Sequence, residues 1–159
     1  MNKIHEIIND EKAVLVFDID GVLAKLEYGE YTHYNVNDEE WAKALENGGN
    51  FYTDDLAFNY FKNFFKKKNM DNIYVATQVM NQIEADQKID FVYRNYNIKK
   101  ENVFVTKTTD EKLDILGKIK KMKDVDDKYI VMIDDTVSVL NNIMDNSNFS
   151  TMHISSFID

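Results

Sequence analysis

The sequence predicts an α/β protein, a three-layer sandwich around a mainly parallel five-stranded sheet, and two observations carry that reading. Short apolar runs at 14–17, 73–76, 103–105 and 129–133 have the length of buried strands. Between them lie longer stretches whose apolar residues recur at helical spacing. Strands alternating with helices give a parallel sheet with right-handed crossovers, and a fifth run, 149–154, adds an edge strand.

A short helix over 3–8 precedes the first strand. The least regular part of the chain is 24–53, where aromatic residues flanking Gly29 suggest a small hairpin. Asp38 followed by Trp41, Ala42 and Leu45 suggests a short helix capped at its start. From Asp54, the spacing of Leu56, Tyr60, Phe61, Phe64 and Phe65 predicts one helix with an aromatic face on the sheet. Lys66, Lys67 and Lys68 close it favourably for the helix dipole and read as a solvated helix end. Further amphipathic helices are predicted at 81–96, 111–121 and 137–144. With no repeat, linker or low-complexity tract, 1–159 reads as one domain in which 24–53 is a small, cap-like insertion.

A net charge of −9 disfavours broad attraction to long nucleic acid or to anionic membranes. No run approaches a membrane span, and residues 1–11 are polar and acid-containing, unlike a signal peptide. The absence of cysteine excludes disulfides and thiolate metal sites and suits a reducing, cytoplasmic setting. The single arginine, Arg94, sits in a helical stretch and reads as a surface residue, so an anionic ligand would have to be met by lysine acting as a point charge.

The strand ends carry the chemistry. The first run leads into Asp18-Ile19-Asp20-Gly21-Val22-Leu23, and if the strand continued, Asp18 and Asp20 would share a face. Two anions held so close call for a proton or a cation between them, and Gly21 lets the backbone turn away at the mouth of the sheet. Turn or helix capping is the plainer explanation of one such pair. The last long run, however, ends in a second pair, Asp134-Asp135, and capping needs one acid, not two. The two intervening runs end in Thr77-Gln78 and in Thr106-Lys107, the latter followed by Lys112 at the start of a helix. In an open parallel sheet such ends line one crevice, where ligands bind.

This set resembles the four motifs of the haloacid dehalogenase superfamily of phosphohydrolases: D-x-D-G-V-L at 18–23, Thr77, Lys112, and the pair Asp134 and Asp135. The resemblance spans the chain from Val14 to Asp135 and implies a HAD-like Rossmannoid fold and a Mg²⁺-dependent phosphomonoester hydrolase. It assigns the nucleophile to Asp18, which would form an aspartyl-phosphate, and general acid and base work to Asp20, helped by a neighbouring anion. The ligands it implies for Mg²⁺ are the Asp18 carboxylate, the Asp20 backbone carbonyl and Asp135, with Asp134 behind. Thr77 and a neighbouring amide would bind a phosphoryl oxygen beside Gln78, and Lys112 would join Asp18 to the phosphate. Lys107 is the rival lysine, and Lys112 is preferred because it opens the helix.

Met80 and the remaining helix aromatics read as core. Among the histidines, His5 and His153 are expected away from the crevice, while His33 lies in the hairpin region as a candidate substrate contact. Tyr28, Tyr31, Tyr34 and Trp41 are expected to pack the insertion onto the domain, with base stacking as the alternative. A small cap favours an open crevice and a phosphorylated small molecule such as a nucleotide, or else a nucleic-acid end. Three competitors share parts of the pattern. A phospho-accepting receiver domain carries its acid at the end of a middle strand, whereas here the middle runs end in Thr77 and Thr106. A non-catalytic binding module would have lost a motif position, and none is missing. A phosphotransferase or mutase would pass the phosphoryl group to an acceptor other than water.

Overall fold

The structure is a computed structural model that describes residues 3–26 and 36–158. The hairpin expected around Gly29, with Tyr28, Tyr31, Tyr34 and His33, lies outside the described residues. Five strands, β1 (Val14–Phe17), β2 (Ile73–Gln78), β3 (Val103–Thr106), β4 (Ile130–Asp134) and β5 (Ser150–His153), form one sheet in the order β3-β2-β1-β4-β5. Every pairing is parallel. Leu15 aligns with Ile73 on one side and with Val131 on the other, so the first strand in sequence is the central one in space.

The sheet is buried on both faces, which is why its strands read as continuous apolar runs. On one face Leu15, Phe17, Ile73, Val75, Val131 and Ile133 meet the helices α1 (Lys3–Asn9), α2 (Asp38–Glu46), α3 (Asn59–Phe65), α4 (Gln82–Tyr96) and α7 (Ile154–Phe157). On the other face Val14, Val16, Tyr74, Ala76, Ile130 and Met132 pack on α5 (Glu111–Lys123) and α6 (Val137–Asn146). The result is the three-layer α/β sandwich that the alternation of elements predicts. No helix among the described residues is long and apolar enough to cross a membrane.

Local chemistry sets the helix ends. Asn37 caps α2 in a reciprocal capping box with Glu40, one residue before the predicted cap. Asn81 caps α4 by accepting from the Glu84 N–H, and Asn97, at φ 57°, ends it in the left-handed conformation that asparagine tolerates.

Three expectations need correction. The helix predicted from Asp54 is broken: a 3₁₀ turn at Asp54–Leu56 is separated from α3 by two extended residues. Tertiary bonds hold the break, since Lys25 N–H donates to Leu56 O, Ala57 bridges to Ala24, and Phe58 N–H donates to the Tyr96 hydroxyl. The last strand is shorter than predicted, because the chain turns at His153 into α7, whose Ile154 and Phe157 are buried. Finally, the middle strand in space is β1, which leads directly into Asp18, while Thr106 ends an edge strand. The receiver-domain reading is therefore opposed by strand order, 3-2-1-4-5 here against 2-1-3-4-5 in that fold, and not by the residues at the strand ends.

Phe61 anchors the aromatic layer, fully buried and in contact with Phe17 (ring centroids 5.6 Å), Phe65 (5.7 Å) and Phe157 (5.7 Å). Phe61→Ala is expected to lower stability by about 3–5 kcal/mol, measured as a reduced urea midpoint at unchanged m-value.

Candidate functional site

At the carboxyl end of β1 the Asp18 N–H still donates to Ile133 O (3.0 Å), so β4 fixes the backbone of the first acid. The chain then closes tightly: Ile19 O accepts from the N–H groups of Val22, Leu23 and Ala24. Gly21 sits in this loop at φ +75°, and a Cβ there would lie 2.3 Å from Asp135 Oδ2. The glycine thus serves both the turn and the close approach of the second acid pair.

Asp18, Asp134 and Asp135 each bring a carboxylate oxygen to one place, all within 4.8 Å of one another. Lys112, second residue of α5 and only 3% exposed, spans them, 2.9 Å from Asp18 Oδ1 and 2.7 Å from Asp134 Oδ2. The rival Lys107 is exposed. Asp134 is fully buried, and its other oxygen accepts from Thr136 N–H (2.9 Å), so each of its oxygens is engaged. Asp135 is half-buried, accepts from the Thr136 hydroxyl (3.2 Å) and faces the cavity.

Burial is the main force raising the Asp18 carboxyl above its ordinary value; Lys112 opposes it, and Asp134 and Asp20 add to it. Asp135 is raised as well, by burial and then by Asp18. Burial works against the Lys112 ammonium, but Asp18 and Asp134 outweigh it and leave its value raised. Protons and a cation would compete for this cluster.

Asp18 and Asp20 do not share a face in the way a continued strand would impose, since β1 ends at Phe17. The Asp20 carboxylate turns to the opposite helical layer, where Oδ2 is 2.7 Å from Lys88 Nζ and Oδ1 accepts from the Tyr52 hydroxyl (2.8 Å). Its paired charge is a cation, not the neighbouring anion expected from sequence. Lys88 also lies 3.0 Å from Glu84. Burial disfavours the Lys88 ammonium, yet Asp20 and Glu84 raise its value; burial, Asp20 and Glu84 push the Tyr52 hydroxyl well above the ordinary phenol.

A cavity of about 250 Å³ opens over these groups, lined by polar residues that include Asp18, Asp20, Asp38, Gln78, Glu84, Lys112 and Asp135 and by the apolar Leu26, Val36, Trp41 and Met80. Trp41 is buried against Phe51 (centroids 4.6 Å), so it both packs the insertion and lines the cavity. Met80 is 39% exposed and belongs to the wall, not the core, because it lies in the connection between β2 and α4.

Thr77 stands apart from its expected role. It is fully buried, does not line the cavity, and its hydroxyl lies 3.3 Å from Lys88 Nζ. The neighbouring amides are engaged too, Val79 N–H with Thr106 O (2.9 Å) and Met80 N–H with Glu84 (2.8 Å). Strand β2 runs through Thr77 and Gln78, which turns the threonine inward and leaves Gln78 at the cavity, its amide nitrogen donating to Lys107 O (3.1 Å). His153 is also displaced from expectation: Nε2 lies 3.1 Å from Asp135 O, directly behind the second acid pair. His5 is on α1, which packs by the turn before β4 at the other end of the sheet.

Lys88, Glu84 and Tyr52 are missed by sequence reading. A signal existed for Lys88, which falls in the buried stripe of α4 between Ala85 and Val92, where an apolar residue is expected.

Gly21→Ala is expected to cost more than about 1 kcal/mol, from the left-handed backbone and the displaced Asp135, read as a lowered urea midpoint. Compared with protein-family models, with curated proteins and with solved structures, the chain matches none of them.

Proposed function

We propose that the protein is a Mg²⁺-dependent phosphomonoester hydrolase of the haloacid dehalogenase type, with Asp18 as nucleophile. The observation that carries this reading is the convergence of Asp18, Asp134 and Asp135 at the ends of the two central strands, with Lys112 between them. Three carboxylates gathered this closely carry more negative charge than Lys112 alone offsets, and a divalent cation would supply the remainder. Asp18, Asp135 and the Asp20 backbone carbonyl would hold it, with Asp134 oriented behind by Lys112 and Thr136. When bound it supplies positive charge to the phosphoryl oxygens and to the crowded acids.

The chain's own groups then divide the work. Lys112 fixes Asp18 Oδ1 and limits repulsion between the carboxylate and an incoming phosphate. An Asp18 oxygen attacks phosphorus, the ester P–O bond breaks, and the leaving oxygen takes a proton from Asp20. Water then attacks the aspartyl-phosphate, Asp20 accepts its proton, and the bond from phosphorus to Asp18 breaks to release inorganic phosphate. The Thr77 hydroxyl takes no direct part while it is held by Lys88, and Gln78 is the polar group that β2 offers to the cavity. The apolar lining residues Trp41, Leu26, Val36 and Met80 suit a nucleobase or a comparable flat leaving group, and the net charge of −9 favours a small substrate over long nucleic acid. A chain without cysteine suits a cytoplasmic setting for this activity.

Phosphate release from a panel of phosphomonoesters tests the reading. Turnover is expected with Mg²⁺ and lost with EDTA, and Asp18→Asn is expected to lower kcat by about 10³-fold or more. Absence of turnover on every ester, together with no Mg²⁺ binding by calorimetry, would sink it.

The raised Asp18 and Asp135 carboxyls predict a pH signature. Folded values above the ordinary 3.8 mean that at these two sites the folded chain holds more protons than the unfolded one. Their contribution to metal-free stability should therefore fall as pH rises from about 3.8 through the raised values. Mg²⁺ is expected to restore it, by about 2.7 kcal/mol at a hundredfold excess over Kd, and more at pH 8 than at pH 5. Thermal melting in MgCl₂ and in EDTA at the two pH values reads both effects.

A further inference from the structure

Lys88 is fully buried at the site, as Asp134 is, and the proposed reaction gives it no task. Its ammonium has no exposed surface and meets four oxygens: Gln78 O at 2.6 Å, Asp20 Oδ2 at 2.7 Å, Glu84 Oε1 at 3.0 Å and Thr77 Oγ1 at 3.3 Å. Three protons are shared among these acceptors. Glu84, only 1% exposed, accepts from Met80 N–H (2.8 Å) and lies 3.2 Å from the Tyr52 hydroxyl. That hydroxyl donates to the other oxygen of Asp20 at 2.8 Å.

Stability alone is a poor reason for such a network. Buried ion pairs are often no better than apolar side chains of the same volume, and position 88 lies in the apolar stripe of α4. What the network achieves is geometric. Each oxygen of Asp20 is held by a different element, Oδ2 by α4 and Oδ1 by the segment following α2, while the side chain keeps 24% of its surface open at the cavity. Asp18 is held by another set, Lys112 on α5 and the end of β4, in the opposite helical layer.

We infer that Tyr52 and Lys88 are positioning residues for Asp20, fixing its carboxylate where it meets the leaving oxygen in the first step and the attacking water in the second. The inference rests on the hydrolase reading given above. Proton transfer needs the donor within about 2.6–3.2 Å of the acceptor, and a carboxylate free to rotate about its side-chain bonds would spend most of its time elsewhere. Because the nucleophile is held separately, loosening Asp20 should weaken leaving-group protonation while sparing attack by Asp18.

Tyr52→Phe removes the hydroxyl and keeps the ring against Phe91 (centroids 6.2 Å). The measurement is kcat/KM with Mg²⁺ on two esters: p-nitrophenyl phosphate, whose leaving group needs little protonation, and the best alkyl phosphate of the panel, whose leaving group needs it fully. The ratio of the aryl to the alkyl value is expected to rise about tenfold or more in Tyr52→Phe, and in the same direction in Lys88→Met and Asp20→Asn. Mg²⁺ affinity by calorimetry should stay within about twofold of wild type in Tyr52→Phe, since the hydroxyl touches the Asp20 carboxylate and not the proposed metal ligand atoms. An unchanged ratio in Tyr52→Phe, equal losses on both esters, or weakened Mg²⁺ binding overturns the inference, and Tyr52→Phe decides it where Lys88→Met fails to fold. A ratio that shifts in Asp20→Asn but not in Tyr52→Phe rejects the positioning role alone. A ratio that does not move in Asp20→Asn, or a wild type that hydrolyses neither ester, removes the hydrolase reading and the inference with it.

Discussion

Everything at the carboxyl end of the sheet depends on one lysine holding two buried acids. Lys112 lies within 3 Å of both Asp18 and Asp134 and is itself nearly inaccessible. Without it, neighbouring carboxylates at the ends of adjacent strands would have to spread, protonate or draw in water, each at a cost of several kcal/mol per uncompensated charge. With it, β1 and β4 can remain in register up to their last residues. The helix that supplies the lysine buries Ile115, Leu116 and Ile119 on the sheet, so the apolar packing of α5 and the electrostatics of the site constrain one another.

Lys88 repeats the arrangement from the other helical layer. One lysine from α5 and one from α4 approach the end of the central strand from opposite faces, each taking one member of the first acid pair. This explains why two carboxylates only two residues apart can have different environments. Asp18 sits among other acids and is raised chiefly by burial, while Asp20 is joined to a cation and a phenol. The three-layer architecture makes the separation possible, since a sheet covered on one side alone would present a cation from one direction.

Sequence reading captured the features that repeat along the chain. Apolar runs ending in acids were legible at Asp18 and at Asp134 because a buried strand leaves a continuous apolar signature and a pair of acids interrupts it abruptly. Lys112 was legible through its place at the start of a helix. Features fixed by tertiary contacts were not. The split before α3 depends on Tyr96 and Lys25 bonding to Phe58 and Leu56, and no local pattern announces those bonds. Thr77 looked like a strand-end residue because β2 was read two residues short, and its side chain faces inward as a result of the added length. The Glu84–Lys88 pair resembles an ordinary i,i+4 surface pair, and only the stripe it occupies gives its burial away.

The central position of β1 has a consequence for the order of assembly. The strand is made early, yet Leu15 finds its partners at Ile73 and Val131, and the second of these belongs to the strand that carries Asp134. Parallel pairings between such distant segments close large loops and form slowly. During synthesis the first acid pair therefore emerges long before either lysine or the second acid pair exists, and its strand has two unsatisfied edges until β2 and β4 arrive. A nascent chain of this topology is most exposed to wrong strand pairing in that interval, and the acid cluster is complete only once β4 has docked on β1.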